Sequence, residues 1–234
     1  MQNRCIFIDA DDTLWENERD FRAAEAEFAR ILAPYAKLED VQNLLWEKQE
    51  GNIPHFGYGS KTYFIGMLDA ALELCGGSLS REIYDSVKDI ITRLCFHPLE
   101  ILPGVEETLD RLSGTYRLIL ATKGENKEQL IKFRKSGLEK YFFAAEVMMD
   151  KSPEDYLSVA GRYGIAARDI VMVGNSVRSD ILPVIAIGGT AIHIPHESVW
   201  VHEIAELPVS DRLHCIDSFA DLPSILAVII APDE

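Results

Sequence analysis

The chain has 234 residues, 47% of them hydrophobic, with 38 acidic against 23 basic side chains and a formal net charge of −15. That length suffices for one large domain, or a medium domain with a small companion, able to bury a core without disulfide or metal staples. The apolar content excludes a disordered chain, and the acidic balance argues against a nucleic-acid or anionic-membrane surface, which clustered Lys and Arg would hold.

The first element is Cys5-Ile6-Phe7-Ile8, a short apolar run of the buried parallel-strand kind that Asp9 stops. With Met1-Gln2-Asn3-Arg4 ahead of it, this run is too brief for a secretory signal. From about Glu16 to Phe96 the pattern is helical. Phe21, Ala24, Phe28 and Ile31 share one face, and Pro34 ends that segment. Val41, Leu44 and Leu45 continue the theme, and Gly51 to Ser60 reads as a Gly-rich loop. Phe64, Met67, Leu68, Ala71, Leu72 and Cys75 form the next stripe, closed by Gly76-Gly77. Ser80 then caps a fourth helix carrying Ile83, Val87, Ile90, Ile91 and Leu94.

From Pro103 onward helices and strands alternate. Strands are predicted at Leu118–Ala121, Glu146–Met149, Ile170–Val173, Ala191–Ile194 and, more weakly, Leu213–Ile216. Helices are predicted near Val105–Leu112, Lys127–Lys135, Pro153–Tyr163 and Ile181–Ile187. Alternation of this kind implies an α/β fold, a parallel sheet covered by helices on both faces. Because the first strand precedes the helical segment, that segment is an insertion: residues 1–15 and 99–234 form a Rossmann-like core, and residues 16–98 an all-α bundle. The four cysteines (Cys5, Cys75, Cys95, Cys215) form no CxxC pair, which fits a reducing, cytoplasmic setting. No stretch approaches the roughly 18 apolar residues of a transmembrane helix.

In open parallel sheets ligands sit at the carboxyl ends of the strands. Those ends carry Asp9-Ala10-Asp11-Asp12-Thr13, then Thr122-Lys123-Gly124, then Lys151-Ser152-Pro153, then Gly174-Asn175 with Asp180 beyond. Taken singly, most of these have structural roles: Asp and Asn form turns, and Ser152-Pro153 is a sound helix start. Asp9-x-Asp11 is different. Carboxylates crowded at a buried strand end repel one another unless a proton or cation intervenes, and a hard cation such as Mg²⁺ is the simplest answer.

These residues, in this order, resemble the four-motif signature of the haloacid dehalogenase superfamily, most of whose members are Mg²⁺-dependent phosphohydrolases. The resemblance covers nearly the whole chain, with the helical insertion between motifs one and two standing where that superfamily has its α-helical cap. It looks most like the small-molecule phosphatases and nucleotidase-like hydrolases. It implies Asp9 as the nucleophile that becomes an aspartyl-phosphate, and Asp11 as general acid and base. Thr122, the backbone around Lys123 and Gly124, and Lys151 would bind phosphate, with Lys151 also offsetting charge on Asp9. Mg²⁺ would be held by Asp9, the Asp11 carbonyl, Asn175 and Asp180.

Motif four, Gly174-Asn175-Ser176-Val177-Arg178-Ser179-Asp180, departs from the commonest acidic pattern, because Asn175 keeps an oxygen ligand but removes one charge. Asp11 weighs against dehalogenation, since the dehalogenases of the superfamily lack that second Asp and do not use Mg²⁺. Substrate choice would lie with Trp15 and with His55, Tyr58 and Lys61 of the cap. His193, His196, Trp200, His202 and Glu203 read as surface and packing residues, with His196 near the mouth of the site. The expected partner is a small phosphorylated substrate, with neither nucleic-acid polymer nor membrane, for a monomer or homodimer. Competing readings are a phospho-acceptor switch, a non-catalytic phosphate binder, a phosphomutase and a dehalogenase.

Overall fold

A computed structural model describes residues 5–96 and 98–230. It divides into two compact units, one comprising the chain up to Glu18 and from Leu99 onward, the other Arg19–Pro98.

The first unit is built on a parallel sheet. Its strands are β1 (Cys5–Ile8), β2 (Arg117–Lys123), β3 (Ala144–Met148), β4 (Val171–Gly174), β5 (Thr190–His193) and β6 (Leu213–Cys215). The order across the sheet is β3-β2-β1-β4-β5-β6, with β1 in the middle. Ile6 lies in register with Leu118 on one side and with Val171 on the other. The chain therefore leaves β1 toward β2 and β3, and returns on its far side at β4. That reversal is a topological switch point, where an open α/β sheet places its ligand crevice at the strands' carboxyl ends.

The second unit consists of α1 (Glu18–Leu32, whose first residue belongs to the other unit), α2 (Leu38–Phe56), α3 (Ser60–Leu74) and α4 (Arg81–Phe96). Its core is formed by Phe28, Leu32, Val41, Leu45, Met67, Ala71, Val87 and Ile90. The expected loop from Gly51 to Ser60 is much shorter in the structure. α2 continues through Gly51 and Pro54 to Phe56, and only residues 57–59 link it to α3. The stop signal is Gly57, whose φ of 74° suits a glycine and whose N–H closes the last turn on Ile53 O. Ser80 caps α4 as expected, its Oγ accepting from Ile83 N–H at 3.2 Å.

In the first unit α5 (Val105–Ser113), α6 (Asn126–Ser136), α7 (Pro153–Arg162), α8 (Leu182–Ala186) and α9 (Leu222–Ile229) follow. The strands alternate strictly. Ile6, Ile8, Leu118, Leu120, Val171, Val173 and Ile192 join Leu109, Phe133, Leu222 and Leu226 on one face. Phe7, Ile119, Ala121, Met172 and Ala191 join Tyr156, Val159, Ile181 and Val184 on the other. α7 begins with a capping box between Ser152 and Asp155, followed by Pro153. Among the described residues no helix is long and apolar enough to cross a membrane.

Leu109→Ala, at a fully buried position, should cost about 2–5 kcal/mol, whereas Ser152→Ala, which removes only the cap, should cost about 1 kcal/mol. Urea denaturation should show both as lowered midpoints at an unchanged slope.

Candidate active site

β1 ends against a tight turn. Asp9 N–H still donates to Val173 O of β4 at 2.9 Å, and Leu14 N–H turns back to Ala10 O at 2.8 Å. Asp12 takes a left-handed φ of 60° within that turn. Its carboxylate accepts from Asn17 N–H (2.8 Å) and Glu18 N–H (3.0 Å), and so serves the start of α1.

Lys151 is 2% exposed and lies between two carboxylates, with Nζ 2.5 Å from Asp9 Oδ1 and 2.6 Å from Asp180 Oδ1. Asp180 is fully buried and accepts Ser176 N–H on its other oxygen at 3.0 Å. It sits on a π-turn, Val177–Ile181, which Tyr156 ties down by donating to Ser179 O at 3.0 Å. A Cβ on Gly174 would land inside the Asp180 carboxylate, so glycine here is the space that Asp180 occupies. Two carboxylates share one ammonium, leaving a negative charge uncompensated. Burial therefore raises the proton affinity of Asp9, and pushes that of Asp180 up to about 7, against the pull of Lys151. Burial opposes the charge on Lys151 too, but Asp180 and Asp9 outweigh it and hold the ammonium protonated well beyond the ordinary lysine range.

Thr13 Oγ stands 2.9 Å from Asp9 Oδ2 and 3.2 Å from Asn175 Oδ1. One hydroxyl proton cannot serve both acceptors, so oxygens outnumber protons at this point. The backbone carbonyl of Asn175 is held by His193 Nε2 at 3.0 Å. An excess of hard oxygen donors beside an uncompensated negative charge fits a hard divalent cation.

Asp11 has a different environment. Trp15 Nε1–H donates to Oδ1 at 2.7 Å, Gln129 Nε2–H to Oδ2 at 3.0 Å, and Lys132 Nζ also pairs with Oδ1. Burial would raise its proton affinity, but Lys132, Gln129 and Trp15 together hold the carboxyl below the usual range.

Thr122 is buried at the end of β2. The Gly124 N–H faces Met148 O at 3.4 Å, and the Lys123 side chain pairs with Glu203 and reaches Ser179 Oγ at 3.0 Å. Glu203, read from sequence as a surface or packing residue, is mostly buried and hydrogen-bonds Ser176 next to Asn175. A three-residue turn, Val201–Glu203, brings it there from a segment beyond β5. Burial opposes its charge, yet Lys123 and Ser176 hold it ionised. His196 lies 3.6 Å from Glu16 and 3.8 Å from Asp12, a trio whose donor atoms fall within 4.8 Å of one another. The His202 side chain lies outside the described residues.

Trp15 is fully buried in the first unit. In the helical unit, His55 is exposed on the last turn of α2, Tyr58 lies in the short link, and Lys61 is exposed at the start of α3. Sequence reasoning missed Gln129 and Lys132. They stand three residues apart on α6, hence on one face of the helix that follows motif two, and that spacing was the available signal.

A family model for haloacid dehalogenase-like hydrolases matches residues 3–188. The chain belongs to that family. Among solved structures, this hydrolase is similar to a haloacid dehalogenase-like family hydrolase from Xanthomonas campestris, at 32% identity and TM-score 0.87, over 97% of this chain and 91% of that one. It shares its fold with 2-haloacid dehalogenase from Pseudomonas syringae pv. Tomato DC3000 (24% identity, TM-score 0.62, 97% and 99% covered). The same holds for the HAD-hydrolase YfnB from Bacillus subtilis bound to magnesium (20% identity, TM-score 0.62, 97% and 99% covered). No curated protein matches the hydrolase significantly.

Gly174→Ala should evict Asp180 from Lys151 and leave buried charges unpaired, costing about 3–5 kcal/mol. Denaturation should show that loss, while Gly114→Ala, with open space around it, should leave stability nearly unchanged.

Proposed function

We propose that this hydrolase is a Mg²⁺-dependent phosphohydrolase that cleaves a small phosphorylated metabolite through an aspartyl-phosphate on Asp9. The observation that carries the reading is the pair of carboxylates on one turn, held for different tasks: Asp9 on Lys151 and Thr13, Asp11 on Trp15, Gln129 and Lys132. Family members that cleave carbon–halogen bonds do without the second Asp, so Asp11 supports phosphoryl chemistry. The dehalogenase neighbour shares the fold, and a fold alone does not choose the reaction.

In this reading a carboxylate oxygen of Asp9 bonds to phosphorus as the bond from phosphorus to the leaving oxygen breaks. Asp11 passes a proton to that oxygen. It then takes a proton from a water whose oxygen attacks phosphorus, releasing phosphate and freeing Asp9. The Lys151 ammonium faces the charge that gathers on the phosphoryl group. Asp9, the Asp11 carbonyl and Asn175 would hold the cation, whose chemistry there is to neutralise phosphoryl oxygens. Asp180, with both oxygens engaged, anchors Lys151 in this scheme. His55, Tyr58 and Lys61 remain proposed determinants of the leaving group.

The test is phosphate release from sugar phosphates, nucleotides and an aryl phosphate, with and without Mg²⁺. Turnover should require Mg²⁺ and should fall on the order of 10³-fold or more in Asp9→Asn. Asn175→Asp, which adds a charged ligand, should lower the Mg²⁺ concentration giving half-maximal rate. No turnover above the Asp9→Asn control would overturn the reading in favour of a phosphate-binding protein.

A further inference from the structure

We infer that Lys132 and Gln129 are positioning residues for Asp11, fixing the carboxylate that the reaction proposed above uses as acid and base. Both oxygens of Asp11 are engaged, Oδ1 by Trp15 (2.7 Å) and Lys132, and Oδ2 by Gln129 (3.0 Å). Two of the three donors come from α6, more than a hundred residues along the chain, so local turn geometry does not account for them. A carboxylate on a turn rotates freely about its side-chain bonds unless donors on two sides hold it. Here they converge from the indole on one element and from an amide and an ammonium on another.

Two features separate this arrangement from an ordinary ion pair. Gln129 is 6% exposed, and its Nε2 bridges Asp11 Oδ2 and Lys123 O, the latter at 3.1 Å. Its Oε1 is left buried without a hydrogen-bond partner among the described residues. A residue placed only to fill space would be apolar, since an orphaned buried acceptor is destabilising. The second feature is Gly124. A Cβ there would sit 2.9 Å from Gln129 Nε2 and 3.2 Å from its Cγ, so the glycine at the end of β2 leaves the gap through which the amide reaches Asp11. Lys132 is also held at its tip, donating to Asn17 Oδ1 at 2.8 Å, which stops the ammonium from swinging into solvent. The cluster thus fixes the direction in which Asp11 points, and orientation of a reacting group is worth large factors in rate.

The experiment uses the full chain and two readouts. In ¹⁵N-labelled protein, the Trp15 indole N–H resonance reports directly on its bond to Asp11. It is assigned by its loss in Trp15→Phe, with the Trp46 indole as internal reference. Lys132→Met and Gln129→Leu should each shift it toward its position in Asp11→Asn, and Lys132→Arg should shift it less. The second readout is turnover of the best phosphate substrate. The same variants should lower kcat roughly 10- to 100-fold with little change in KM, Lys132→Arg should recover part of the loss, and Lys132→Met should cost nothing further in an Asp11→Asn background. An unmoved Trp15 resonance, or an undiminished effect of Lys132→Met on top of Asp11→Asn, would overturn the inference. A shifted resonance in a protein that hydrolyses no phosphate ester would uphold the positioning and overturn the phosphohydrolase reading. Lys132→Arg retains the charge and the donors, so its partial shift serves as the measure should the neutral variants fail to fold.

Discussion

An ammonium group with almost no access to water, held between two carboxylates, is the constraint around which the sheet-bearing unit is arranged. Lys151 gives up its hydration, and Asp9 and Asp180 must both be within reach to compensate. Every nearby detail serves that meeting. Lys151 takes a left-handed φ of 57°, unusual for a long side chain, immediately before the Ser152 cap that starts α7. Asp180 lies on a π-turn, a rare widening of the helix that functional sites often use. Gly174 yields the volume of a side chain to it, and Tyr156 secures the turn from behind.

Asp9 and Asp11 are separated by one alanine, yet their surroundings push them in opposite directions. Burial makes Asp9 more ready to take up a proton against the pull of Lys151, while an indole, an amide and a dedicated ammonium keep Asp11 ionised. These shifts run opposite to the roles proposed above, an ionised nucleophile at Asp9 and a protonated acid at Asp11. In the proposed reaction a cation beside Asp9 would favour its ionised form, and a phosphoryl group beside Asp11 would raise that carboxyl's proton affinity toward the acid role.

Much of the architecture is legible in the sequence because it rests on periodicity. Ile6 and Ile8 against Cys5 and Phe7, or Leu118 and Leu120 against Ile119 and Ala121, are two-sided buried strands whose continuous apolar runs announce a parallel sheet. The meeting of Asp9, Lys151 and Asp180 could be expected from the sequence too, since Asp9 directly follows β1 and the other two lie a few residues beyond β3 and β4. Partners supplied by distant segments could not. Glu203 arrives from an irregular stretch with no pattern of its own, and Lys132 looks like any solvated helix lysine until the fold sets it against Asp11. The length of α2 departs from the sequence expectation of a loop at Gly51 to Ser60. Gly51 and Pro54 are both poor helix residues, yet α2 runs through them and stops where Gly57 permits it.

The central place of β1 also governs the order in which the molecule can assemble. Of the sheet's strands β1 comes first in sequence and lies in the middle, yet its two neighbours begin at Arg117 and Val171. Until the chain has grown past both, Ile6 and Phe7 have nothing to pair with, and closing such long loops is slow. The helical segment faces no such wait, because Phe28, Leu45, Met67 and Val87 find one another within Arg19–Pro98. An insertion that interrupts the sheet in sequence is thus the part of the chain able to gather its own core first, while β1 waits for partners that lie far along the chain.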